Sequence, residues 1–216
     1  MYKEVNDFWE IRLKRVQQNL QENGFNCFLV QDCPEAKTLV LDEIFPGLNP
    51  ASVSWGGSST FKDSGLYYAL KERSDIEILD TFKSRGQEGN LELRRQALLV
   101  DLFITGTNAI TEQGYLANLD MIGNRVGALV FGPRKVLILC GRNKIVSDVE
   151  AAMDRIKTYS APANALRLKK KTPCARTAYC HDCDSPDRIC NVWSITVKSF
   201  PKGRINVILI NEDLGL

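Results

Sequence analysis

The sequence contains a single histidine, His181. That scarcity excludes a zinc-protease histidine pair and leaves no Ser-His-Asp triad away from that one residue. Long apolar runs are missing as well. None nears the ~20 residues that span a bilayer, and the charged opening "MYKEVNDFWEIRLKRVQQNL" lacks the apolar core of a secretory signal. A cytoplasmic protein without a membrane partner is therefore expected. There is little net charge, +2 over 216 residues, so no global field argues for nucleic acid. Neither a complete G-x-G-x-x-G nor a P-loop lysine is present, and there is no internal repeat or low-complexity tract.

What is present reads as α/β. A composition of 44% hydrophobic and 25% charged residues is that of an ordinary globular protein. Val5, Phe8, Trp9, Leu13, Val16 and Leu20 recur mostly at three- and four-residue steps. This predicts an amphipathic helix over 2–23, stopped by Gly24. "FNCFLV" (25–30) has strand length. Asp32 and Pro34 mark the start of a helix to about Ile44, ended by "FPGLNP". Strands follow at 51–55, 76–80 and 99–105, separated by helices to about Glu72 and over 88–98. Further short runs predict strands near 115–118, 125–131 and 135–140. The glycine-rich stretch 106–132 then suits an antiparallel insertion. A helix from Val146 to Ile156 comes next, and "VWSITVK" and "RINVILI" read as a pair of strands. Strand–helix alternation with near-continuous apolar strands argues for a largely parallel sheet flanked by helices.

Ligands of open α/β sheets sit beyond the carboxyl ends of strands, which directs attention to three loops. "SWGGSST" supplies Gly56, Gly57 and Ser58, where small residues let a ligand approach the backbone, or where Ser58 or Ser59 simply caps a tight turn. "TGTNAITEQG" supplies Asn108, Glu112 and Gly114. "DMIGNRVG" supplies Asp120, Asn124 and Arg125, an arginine suited to a carboxylate or phosphate or to pairing with Asp120 or Asp101. Cys27 and Cys140 lie in apolar strands and read as buried thiols. Cys33 sits at a helix start, which can lower a thiol's pKa, yet it too reads as structural.

"CARTAYCHDCDSPDRIC" gathers Cys174, Cys180, Cys183 and Cys190 in the pattern C-x5-C-x2-C-x6-C. A reducing compartment and an odd cysteine total argue against disulfides. Four thiolates suit a [4Fe–4S] cluster or structural zinc. The arrangement is similar to the iron–sulfur loop of the endonuclease III class of DNA glycosylases with the two outer gaps exchanged. No helix–hairpin–helix accompanies it, so glycosylase activity is not inferred. Lys169, Lys170, Lys171, Arg176 and Arg188 offer compensating charge. His181 reads as an exposed loop imidazole.

"ASVSWGGSST" and "VDLFITGTNAITEQGYLANLDMIGNRVGALVFGPRKVLILCGRNKIV" resemble the LUD (lactate utilisation) domain family over most of residues 10–160. The tail resembles that of a cysteine-bearing subgroup related to lactate-utilisation protein C, which itself lacks the quartet. Many members have Thr-Gly where this chain has Gln113-Gly114. The resemblance implies a ribose-5-phosphate isomerase/CoA-transferase-like α/β fold with a C-terminal cysteine-rich appendage. Residues 1–166 form the LUD-like domain in this division; 167–216 hold the cysteine segment and the strands that complete it. The implied function is an accessory role in lactate and organic-acid oxidation, with a small organic-acid, phosphate or CoA-type ligand and iron–sulfur redox proteins as partners. The alternative is an enzyme acting on a phosphorylated or CoA-linked metabolite. A regulatory nucleic-acid module resting on "RLKKK" (167–171) is the weakest of the three readings.

Overall fold

A computed structural model describes residues 3–83 and 86–216. The chain opens with helix α1 (Lys3–Glu22), whose buried face carries Leu13, Val16 and Leu20. Gly24 ends it at φ +83°, where a Cβ would stand 2.9 Å from the Ser199 carbonyl oxygen. Strand β1 (Asn26–Val30) follows. Helix α2 (Cys33–Leu39) is capped by Asp32, whose carboxylate accepts from the Glu35 N–H at 2.8 Å.

The helix ends inside "FPGLNP", as expected, but at Leu48 rather than Ile44. The helix widens into a π turn (Val40–Ile44) and continues as α3 (Phe45–Leu48). Proline has no N–H and clashes with the carbonyl four residues back, and a π turn ahead of Pro46 relieves both problems.

Strand β2 (Ser52–Trp55) leads to the short helices α4 (Ser59–Asp63) and α5 (Leu66–Lys71). Strand β3 (Glu77–Leu79), helix α6 (Gly86–Gln96) and strand β4 (Leu102–Gly106) come next. A hairpin pairs β5 (Ala109–Thr111) with β6 (Leu116–Asp120). The strand expected at 125–131 is instead helix α7 (Asn124–Val130). Its first free N–H groups, on Arg125 and Val126, donate to the Asp120 carboxylate at 2.9 and 3.1 Å, a cap that decides a short apolar run of ambiguous period.

Strand β7 (Lys135–Gly141), a single 3-10 turn (Arg142–Lys144) and β8 (Ile145–Val146) follow. Helix α8 (Val149–Arg155) passes through a second π turn (Ile156–Ser160), again just ahead of a proline, into α9 (Ala161–Arg167). It therefore runs eleven residues past the expected end at Ile156. A one-turn helix α10 (Cys174–Thr177) opens the cysteine loop, and β9 (Val192–Thr196) and β10 (Ile205–Ile210) come after it.

Six strands form a parallel sheet in the order β1-β10-β7-β4-β2-β3. The other four form a smaller sheet, β8-β5-β6-β9. The two strands read as a C-terminal pair thus part company. β9 lies antiparallel to β6, while β10 fills a slot between β1 and β7. Successive side chains of a strand point to opposite faces, so the large sheet feeds two cores. Leu137, Leu139, Ile208 and Ile210 pack with Trp55, Phe61 and the helices after β1 and β2. Val136, Ile138, Val207 and Leu209 pack with Leu13, Val16 and Leu20 of α1 and with Ile110 and Leu116 of the small sheet. Among the described residues no helix is long and apolar enough to cross a membrane.

Candidate functional site

The carboxyl ends of β2, β4 and β7 open on the same side of the large sheet, and β6 of the small sheet ends beside them. Their loops enclose a cleft of about 480 Å³. After β2, Ser58 caps α4, its Oγ accepting from the Phe61 N–H at 3.2 Å. Gly56 and Gly57 have different tasks. A Cβ on Gly56 would stand 2.7 Å from Cγ of Arg125, so its bareness lets the arginine stem pass. A Cβ on Gly57 would meet nothing within 4 Å and point into open space. Gly106, ending β4, leaves room for the Ser58 hydroxyl in the same way.

Arg125 is held on three sides. Its Nε donates to Asp120 Oδ1 at 2.7 Å, with which it also forms an ion pair. Its Nη2 donates to Asn108 Oδ1 and to the Leu119 carbonyl, both at 3.1 Å. Asp120 thus caps α7 and fixes Arg125 together, a partly buried pair with most lone pairs satisfied. Of the sequence-selected residues, Gly57, Ser58, Asn108, Asp120, Asn124 and Arg125 line the cleft. Gly56 stands one residue behind the wall. Glu112 and Gly114 lie at the far end of the β5–β6 hairpin. Glu112 pairs with Arg12 at 2.8 Å, and Gly114, at φ +79°, packs against the backbone of Asn19 and Leu20. Both fasten α1 and are not among the lining residues.

Sequence reasoning passed over Lys144, Arg94 and Ser160, which also line the cleft, and Arg167 of the basic run 167–171 joins them there. Lys144 follows the carboxyl end of β7, so the strand-end rule that selected the other loops reaches it too. It is 4% exposed, and its Nζ donates to Thr60 Oγ1 at 3.1 Å. Burial holds its pKa down at about 8. Arg155 stands behind the wall, donating to the Asn143 and Asn108 carbonyls and to Ser160 Oγ. The second π turn delivers Ser160 to the cleft. Among the described lining side chains Asp120 is the sole carboxylate, against Arg94, Arg125, Lys144 and Arg167.

The surroundings of the three thiols outside the cysteine loop favour the protonated form. Burial pushes Cys140 up to about 11, and raises Cys27 further. At Cys33 burial and the Glu212 carboxylate outweigh the helix start, pushing the thiol up to about 12.

The cysteine loop packs on the cleft's rim. Ile189 lines the cleft, and Asn191 donates through its N–H to the Asp120 carbonyl (2.9 Å) and through Nδ2 to the Met121 carbonyl (3.0 Å). Arg188 ties the loop together, donating to the carbonyls of Cys183 (2.6 Å) and Cys190 (3.1 Å) and to Asp182 Oδ1 (2.9 Å). Burial raises the Cys190 pKa; Arg188 opposes this, and the nearby Cys180, Cys183 and Cys174 add to it. All four thiols are free. Among the described residues, no three His, Cys, Asp or Glu side chains converge closely enough to hold a metal ion. Exposed His181 contacts Thr177 Oγ1 at 2.9 Å and the edge of Tyr179.

The family model of the LUD domain matches residues 13–210. A solved structure of a DUF162 family protein from Deinococcus radiodurans is 14% identical. It aligns over 94% of this chain and 98% of its own with a TM-score of 0.51, a likeness of fold. No curated protein matches the chain.

Proposed function

The chain belongs to the LUD domain family, and from that premise we propose that it serves lactate or related organic-acid oxidation as an accessory protein whose cleft binds a small anionic ligand. The observation that carries this reading is the charge of the cleft, whose described wall has four cationic side chains against one acidic side chain. Its position beyond the strand ends supports it further. A carboxylate, a phosphate or the phosphates of a CoA-type ligand all meet that requirement. Chemistry on a phosphorylated or CoA-linked metabolite is the alternative, and turnover of such a compound by the isolated protein would distinguish it.

Calorimetric titration with L-lactate, pyruvate, inorganic phosphate and CoA tests the binding. At least one should bind the wild type, and Gly57→Trp should abolish it. The indole would project into open space, so stability should change by no more than about 0.5 kcal/mol. Undiminished binding by that variant, or no binding by the wild type, rejects the reading.

The cysteine loop supports a second proposal, a four-thiolate centre holding a [4Fe–4S] cluster or zinc. The soft donor set suits either group. The placement of the thiols closes no ligand shell, so the loop would have to tighten around the ion. A cluster would supply one-electron transfer; zinc would supply rigidity. Iron–sulfur redox proteins fit as partners in the first case.

A further inference from the structure

Lys144 is an uncommon residue to bury. An ammonium taken out of water is costly unless it is paired, and buried lysines are usually found with a carboxylate. Among the described residues Lys144 makes one hydrogen bond, to the neutral Thr60 hydroxyl, and no ion pair. Its surroundings make the excess charge greater. Cys140 of β7 faces it as a buried thiol that stays protonated. Arg155 of α8 and Arg125 of α7 are both close enough to repel it. Arg125 has Asp120, whereas among the described residues Arg155 has carbonyl, hydroxyl and Tyr159-ring partners and no carboxylate. From α4, Asp63 exerts only a weak attraction. Gly57, Ser58, Ser59, Gly106 and Thr107, all small, share the cleft wall with Lys144.

We infer that Lys144 is the anchor for an oxyanion of the cleft's ligand, a buried positive charge left without a carboxylate so that the ligand supplies one. This deepens the proposed function and rests on it, naming the residue that reads the ligand's charge and the consequence of that contact for protons. Burial leaves the free amine titrating near pH 8. An anion beside it favours the ammonium, so binding at that pH must draw a proton from solvent. Affinity for a carboxylate should then fall as pH climbs above 8, because binding has to reprotonate the amine.

The experiment is calorimetry of the whole chain in paired buffers of different ionisation enthalpy, between pH 7 and 9, with pyruvate and L-lactate as probes that do not themselves titrate there. Proton uptake should be small at pH 7, about half a proton per ligand at pH 8, and larger at pH 9. Lys144→Met should lose the uptake and bind about tenfold to a hundredfold more weakly, as expected for one charge-assisted contact. Inorganic phosphate is a separate arm, read by the loss of affinity in Lys144→Met. Binding of phosphate alone assigns the anchor to phosphorylated ligands, and binding of the carboxylates alone assigns it to organic acids. If the probes bind with flat proton uptake and Lys144→Met binds as well as the wild type, the anchor is wrong while the anion-binding cleft stands. If no probe binds the wild type, both fail. The uptake is measured on the wild type, so the result does not depend on the variant folding.

Discussion

Burial moves the ionisation of lysine and thiol side chains in opposite senses here, and both appear in stability. Lys144 titrates near 8 in the fold against an ordinary 10.5. Below pH 8 it is charged in both states and the fold bears the full cost of burying it. Between pH 8 and 10.5 the folded chain releases a proton that the unfolded chain keeps, so stability from this group rises with pH. The thiols act the other way. Cys140 and Cys33 sit near 11 and 12 against an ordinary 9. Above pH 9 the unfolded chain ionises first, and stability falls. Ligand-free Lys144→Met should therefore be more stable than the wild type by about 1–3 kcal/mol at pH 7, with the advantage shrinking towards pH 10. Urea unfolding at several pH values checks this; a difference that does not vary with pH would mean that the lysine is not desolvated. The residues of the cleft were unequally legible in the sequence. Asn108, Asp120, Asn124 and Arg125 cluster around two strand ends, and the strand-end rule finds them. Arg94, Arg167 and Ser160 arrive from helices whose approach no local pattern records. Glu112 and Gly114 follow a strand too short to set direction. β5 has three residues, and its hairpin turns towards α1.

Among the elements, strands of the large sheet were the most readable. Buried on both faces, β7 and β10 are near-continuous apolar runs, and nothing else of that length fits such a slot. Helix ends were less so. Pro46 and Pro162 look like stops, yet in each case the preceding π turn makes an i to i−5 hydrogen bond, from Phe45 to Val40 and from Ala161 to Ile156, and the helix carries on. Which sheet takes β9 depends on β6, over seventy residues away, and no local signal could tell it. The cysteine loop is the element whose form depends most on what it holds. Reconstitution with ferrous iron and sulfide under argon should give broad visible absorbance and about four irons per chain if the loop holds a cluster. Colourless protein retaining one zinc per chain would assign the other metal. Cys183→Ala should release either. Retention of neither after desalting would leave the quartet as free thiols.

At the scale of the molecule, the central strands tie the two cores together. In β10, Ile208 and Ile210 belong to one core and Ile205, Val207 and Leu209 to the other, as the residues of its neighbour β7 also divide. Ile208→Ala and Leu209→Ala damage opposite faces, yet each should cost about 2–5 kcal/mol. Each should lower one shared transition, seen alike by far-UV circular dichroism and by tryptophan fluorescence, to which the fully buried Trp55 of the first core contributes. Two separate transitions in the Leu209→Ala variant would show that the cores unfold independently.

That strand's position also sets an order of events during synthesis. β10 lies between β1 and β7, although every other strand precedes it in the chain. While the ribosome is still translating the cysteine loop, β1 and β7 have no partner between them. Their facing edges expose unpaired amides and carbonyls beside apolar side chains. An open slot of this kind invites pairing with the wrong strand. It closes when residues 205–210 clear the exit tunnel and pair with both edges, joining the two sides of the sheet.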